Sequence, residues 1–130
     1  STNNFGGEKS FGAWSTRSQV LNKLGRNTEA AEVMKKALPY GDMNEIHQYG
    51  RQLLGLKYYK EAFDVFKMNH DKNPNQFTTI MGLTRGYSAL GDFKNALKFA
   101  NMALPLAPDA NNRNNVLSLI DKLKEGKDVN

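Results

Sequence analysis

The sequence predicts an all-α fold built from helix pairs, and three observations carry that prediction. Three stretches of the chain align with one another: WSTRSQVLNKLGRNTEAAEVMKKALPYG from Trp14, IHQYGRQLLGLKYYKEAFDVFKMNHDKNP from Ile46 and IMGLTRGYSALGDFKNALKFANMALPLAP from Ile80. Each reads as two amphipathic helices joined by a short break, at Gly25-Arg26-Asn27, Lys57-Tyr58-Tyr59 and Gly91-Asp92-Phe93. Each break is followed three residues later by a small residue, Ala30, Ala62 and Ala96, spaced 32 and then 34 residues apart. A near-constant period of this size marks a repeat array, in which one supersecondary unit buries its apolar face only against its neighbours.

Within each stretch the pattern can be followed residue by residue. The first helices carry Trp14, Arg17, Ser18 and Leu21, then Ile46, Tyr49, Gly50 and Leu53, then Ile80, Leu83, Thr84 and Tyr87. The second helices carry Ala30, Met34 and Ala37, then Ala62, Phe66, Asn69 and Pro74, then Ala96, Ala100, Ala103 and Pro108. Small residues at these places let helices approach closely, while large ones fill the groove between neighbours. Period and pattern together resemble the tetratricopeptide repeat family over about residues 11–110. The resemblance implies a right-handed α-solenoid of three helix-turn-helix repeats, about 11–42, 43–76 and 77–110. The departures are Arg17 in an apolar slot, Asn69 where alanine is usual, and a first repeat without its closing proline.

Local signals set the boundaries in chain order. Residues 1–10, STNNFGGEKS, read as a linker, and the Ser1 start suggests a piece of something longer. Asn27 and Asp92 are natural N-caps after their glycines, and Asp42-Met43-Asn44-Glu45 has the form of a capping box. Pro39, Pro74, Pro105 and Pro108 sit where second helices should end. Beyond the third repeat, Val116, Leu117, Leu119, Ile120 and Leu123 recur at helical spacing, which predicts a capping helix over about 111–125 covering the last repeat. Residues 126–130 read as a frayed tail.

Composition narrows the functional classes. The chain has no cysteine, which removes disulfides, thiolate nucleophiles and cysteine metal sites together. A formal charge of +5 invites a nucleic-acid reading, but the basic residues are spread among acids without a block of like charge or a stacking platform, so no nucleic-acid partner is expected. No apolar run approaches the roughly 20 residues of a membrane span. His47 and His70 lie in different predicted helices without a partner at metal-ligand spacing, and no HExxH or glycine-rich phosphate loop occurs. The expectation is a chain that is not an enzyme, with no cofactor, no metal and no catalytic residue.

Function is then expected from the surface of the array. The resemblance implies protein or peptide binding on a concave face lined by the first helices of each pair. Placing residues as that family uses them brings Gln19, Asn22, Asn44, His47, Gln48, Arg51, Met81, Arg85 and Ser88 to that face, with Ser15 and Thr78 beside them. Arg51 and Arg85 hold equivalent places in consecutive repeats and suit a carboxylate or an acidic peptide, because guanidinium presents a planar fork of donors. Chaperone-binding members of the family clamp a C-terminal carboxylate with lysine, asparagine and arginine at places held here by Ser15, Gln19, Gln48, Thr78 and Gly82, so that clamp is not expected. Gly82 and Gly86, four apart in one predicted helix, imply close packing or the approach of a ligand backbone.

The C-terminal half, with YGRQLL, EAFDVFK, GLTRGYSALGDFKNALK and GKDVN, resembles the tail of an uncharacterised bacterial family in which a β-rich domain precedes a tetratricopeptide-like array. That second resemblance implies an exported or periplasmic protein whose partner is its own N-terminal domain. It also carries the alternative function, an accessory domain that positions substrate for a catalytic one.

Overall fold

The computed structural model describes residues 10–130, so the expected linker at 1–10 lies outside the described residues except for Ser10. Among those described, the chain forms seven α-helices and no strand: α1 Phe11–Lys23, α2 Asn27–Ala37, α3 Met43–Gly55, α4 Tyr59–Lys72, α5 Phe77–Ala89, α6 Phe93–Ala103 and α7 Ala110–Lys124. The three expected pairs and the seventh helix are therefore present as helices. None is long and apolar enough to cross a membrane. The chain divides into two compact units, one ending at Glu45 and one spanning Ile46–Asn130.

The breaks between paired helices share one backbone solution. At the end of α1 the Gly25 N–H donates to the Asn22 carbonyl and the Arg26 N–H to that of Leu21; after α5 the Gly91 N–H donates to Ser88 and the Asp92 N–H to Tyr87. Both glycines adopt positive φ, 77° and 80°, which this closing turn requires and glycine allows without a steric penalty. Between α3 and α4 the same bonds form around Lys57, held at φ 66°, so this turn is made without glycine.

Two capping expectations hold and one is corrected. Asp42 and Glu45 form the reciprocal capping box, the Glu45 N–H donating to Asp42 Oδ1 at 2.8 Å and the Asp42 N–H to Glu45 Oε1 at 3.0 Å. Asp92 caps α6 by accepting from the Asn95 N–H at 3.1 Å. Asn27, expected as a cap, is instead the first residue of α2; Arg26 takes the cap position and its side chain pairs with Glu29. Ser10 and Asp109 cap α1 and α7, accepting from Ala13 and Asn112. Pro39 and Pro105 lie in 3₁₀ turns, Leu38–Tyr40 and Leu104–Leu106, that close the second helices.

In the first unit α1 packs on α2, burying Ala30, Met34 and Ala37. Ser18, in the small slot of α1, donates to the Ala30 carbonyl at 3.2 Å. Arg17 is exposed, so its charge is not forced into the core.

The second unit is organised by close crossings. Ala62, Ala96 and Ala103 have no exposed surface, as expected of small side chains where helices touch. Phe66 of α4 is buried against a row of glycines. A methyl group on Gly82 would lie 2.7 Å from Phe66 Cδ1, and one on Gly86 would lie 3.3 Å from Phe66 Cδ2 and 3.2 Å from Phe63 Cδ1. Gly50 of α3 faces the same ring. The helical glycines, each costing about 1 kcal/mol against alanine, are thus offset by a large aromatic seated where side chains would otherwise stand. Asn69, also buried, has its Oδ1 accepting from Asn73 Nδ2 at 3.1 Å, which satisfies a polar group in an alanine slot.

The helix α7 packs on α6 and adds Val116, Leu119, Ile120 and Leu123 to a core with Ile80, Met81, Ala96, Ala100 and Ala103; Leu117 points to solvent. The expected frayed tail is corrected. Val129 is buried in this core, and its N–H donates to Ser88 Oγ at 3.0 Å. Ser88 Oγ donates to Asp128 Oδ1 at 2.6 Å, and Asn130 Nδ2 donates to the Arg85 carbonyl at 2.9 Å. One buried valine and a buried serine hold residues whose composition alone reads as solvated.

Candidate functional site

The residues with chemical capacity gather where α3 faces α5 in the second unit. The α5 sequence is nearly all core: from Thr79 to Ser88 only Arg85 and Tyr87 escape full burial. Arg85 is the one charged residue in that helix and is half-buried. From α3 come His47, half-buried, and Arg51, exposed one turn further on. Gly82 of α5 lies beside His47: a methyl there would stand 3.4 Å from His47 Nδ1, an ordinary contact, and 2.7 Å from Phe66 Cδ1. The His47 ring lies 5.5 Å from that of Phe66, centroid to centroid, and its Nδ1 is buried without a hydrogen-bond partner.

The electrostatics of this cluster are one-sided. Burial, followed by the positive charges of Arg51 and Arg85, holds the His47 imidazolium pKa down at about 4, so His47 is neutral at pH 7. Burial and then Arg51 lower the Arg85 guanidinium to about 10. The described ion pairs of the chain join Arg26 to Glu29, Lys35 to Glu32, Lys60 to Asp64, Lys67 to Asp71 and Lys127 to Glu125, each close in sequence. None of them engages Arg51 or Arg85. Among the described residues, neither Arg51, one turn beyond His47 on α3, nor Arg85, one turn beyond Gly82 on α5, has a carboxylate partner.

The expected site residues separate into three groups. His47, Arg51 and Arg85 are brought together, and Gln48 is exposed on α3 beside them. Met81 and Ser88, expected on an accessible face, are buried at 6% and 1% exposure: Met81 packs in the core with α6 and α7, and Ser88 is occupied by Asp128 and Val129. Gln19 and Asn22 are carried by α1 and Asn44 by the first turn of α3, all within the first unit; Gln19 and Asn44 are exposed and Asn22 half-buried.

Among the described residues, His70 Nε2 is also a buried side-chain nitrogen without a partner. It belongs to an aromatic row in which Phe63 meets Tyr87 at 4.8 Å, Tyr87 stacks on Phe99 at 5.6 Å, and His70 meets Phe99 edge-on at 6.3 Å. That row is packing between α4, α5 and α6. Among the described residues no three His, Asp or Glu side chains approach closely enough to hold a metal ion. No protein-family model and no curated protein matches the chain.

Proposed function

We propose that the chain is a non-catalytic binding module that takes an acidic segment of a protein partner, using first helices as tetratricopeptide arrays do along the inner face of a right-handed solenoid. One observation carries this reading: Arg51 on α3 and Arg85 on α5 each stand one helical turn beyond the point where His47 approaches Gly82, and neither has a carboxylate partner among the described residues. Cations used only for folding are ordinarily paired when partly buried, because an uncompensated charge there costs stability. An acidic peptide supplies the missing carboxylates as charge-assisted hydrogen bonds, worth roughly 1.5–3 kcal/mol each where the arginine is sheltered. The exposed Gln48 adds an amide donor and acceptor on the same helix.

The test is a titration of a glutamate-rich peptide and its glutamine counterpart against four single variants. Arg51→Ala and Arg85→Ala should each weaken binding of the acidic peptide about tenfold or more, the equivalent of about 1.4 kcal/mol. Added salt should weaken it too. Lys60→Ala and Lys94→Ala, on the exposed sides of α4 and α6, should leave affinity nearly unchanged. The reverse ranking places the binding surface on the second helices and removes the proposal.

A further inference from the structure

We propose that the site formed by His47, Arg51 and Arg85 is built for a doubly charged oxyanion, a phosphomonoester carried on a peptide side chain, in preference to a single carboxylate. This rests on the reading of Arg51 and Arg85 as the anchors of an acidic peptide and specifies the group they hold. Charge balance selects the ligand. Arg51 and Arg85 supply two positive charges, and His47 adds none at pH 7. Protonating His47 would place an N–H at the buried Nδ1, between Phe66 and Gly82, where no acceptor is present. From α5 the only charged side chain is Arg85, and from α4 the ring of Phe66 faces His47.

A lone carboxylate leaves one of the two arginines uncompensated. A phosphomonoester carries roughly −1.5 to −2 at pH 7 and three acceptor oxygens, enough to meet a guanidinium fork from each side. A phosphodiester, with one charge, falls short in the same way as a carboxylate. Gly82 lies against His47 where α5 meets α3, and Arg85 on α5 and Arg51 on α3 each stand one helical turn beyond that point.

The experiment uses three peptides of identical sequence except for a central serine, phosphoserine or glutamate, with inorganic phosphate as a fourth ligand, titrated calorimetrically at fixed ionic strength. The phosphoserine peptide should bind at least tenfold more tightly than the glutamate peptide, and the serine peptide weakest of all. That preference should shrink below about pH 5, where the phosphomonoester loses its second charge. Arg51→Gln and Arg85→Gln should each abolish it, with circular dichroism confirming that both variants remain folded. Nuclear magnetic resonance of the His47 ring gives a second readout: its pKa should rise on binding, because two of the three influences that depress it are then neutralised.

Glutamate and phosphoserine peptides of equal affinity, both lost in the arginine variants, would overturn this inference and leave the acidic-segment reading standing. If no peptide binds, both fall. Inorganic phosphate binding as tightly as the phosphopeptide would remove the peptide from the proposal, and a preference that survives both arginine substitutions would place the phosphate elsewhere.

Discussion

Deleting residues 110–130 should abolish the cooperative unfolding of the Ile46–Asn130 unit. The deletion removes Val116, Leu119, Ile120, Leu123 and Val129, all buried, and uncovers Ile80, Met81 and the alanine face of α6. Burying one aliphatic side chain of this size contributes about 1.5–3 kcal/mol. Five of them together are of the order of the entire stability of a small domain, about 5–15 kcal/mol. The uncovered face is a contiguous apolar patch, so the shortened chain should bind a hydrophobic dye and associate. Urea unfolding followed by circular dichroism checks it, and a parental midpoint with the parental slope would show that α7 and the tail are not part of that core. Deleting 126–130 alone should have a smaller effect that is still measurable, because Val129 and the Ser88 bonds leave with it.

Phe66→Ala should lower stability by about 3–5 kcal/mol, the usual range for a fully buried phenylalanine. A double-mutant cycle makes the packing argument specific. Gly82→Ala in the parent should be destabilising, because its methyl group would lie 2.7 Å from Phe66 Cδ1. In the Phe66→Ala background the ring is gone, and the same change should stabilise by up to about 1 kcal/mol through helix propensity. That reversal of sign is the expected result of the cycle. Additive effects would mean that the glycine row is not there to seat Phe66.

The parts of the fold that were legible in the sequence are those with a strict local requirement. A close helix crossing tolerates only a small residue, so Ala62 and Ala96 announced their crossings and are found without exposed surface. The Asp42–Glu45 box is written within four residues and is formed as written. Asn27 misled because a cap is defined by backbone angles: the turn closed by Gly25 leaves Arg26, at φ −92° and ψ 62°, in the cap position. The tail misled because GKDVN is polar on its face, while its anchor, Ser88, lies 40 residues away from Asp128 in sequence.

The candidate site divides along the same line. Arg51 and Arg85 could be singled out from sequence because they hold equivalent places in the aligned stretches. Placing Met81 and Ser88 on an open face treated α5 as a helix with one exposed side, whereas α6, α7 and the tail bury it almost throughout. That the arginines meet no carboxylate depends on where every acidic side chain ends up, and no spacing in the sequence records it.

Arg51 and Arg85, on this account, are held for a ligand and destabilise the fold that carries them. The most direct measurement is the unfolding free energy, by urea titration at pH 7 without any ligand, of the Arg51→Gln/Arg85→Met double variant. Methionine keeps the apolar stem of Arg85 packed while removing its charge. Relief of the mutual repulsion and of the partly buried charge should raise stability by about 0.5–2 kcal/mol, as when a residue kept for binding is replaced by one suited to packing. A variant less stable than the parent by about 1 kcal/mol or more would show that the two arginines serve the fold, and would contradict their assignment to a ligand.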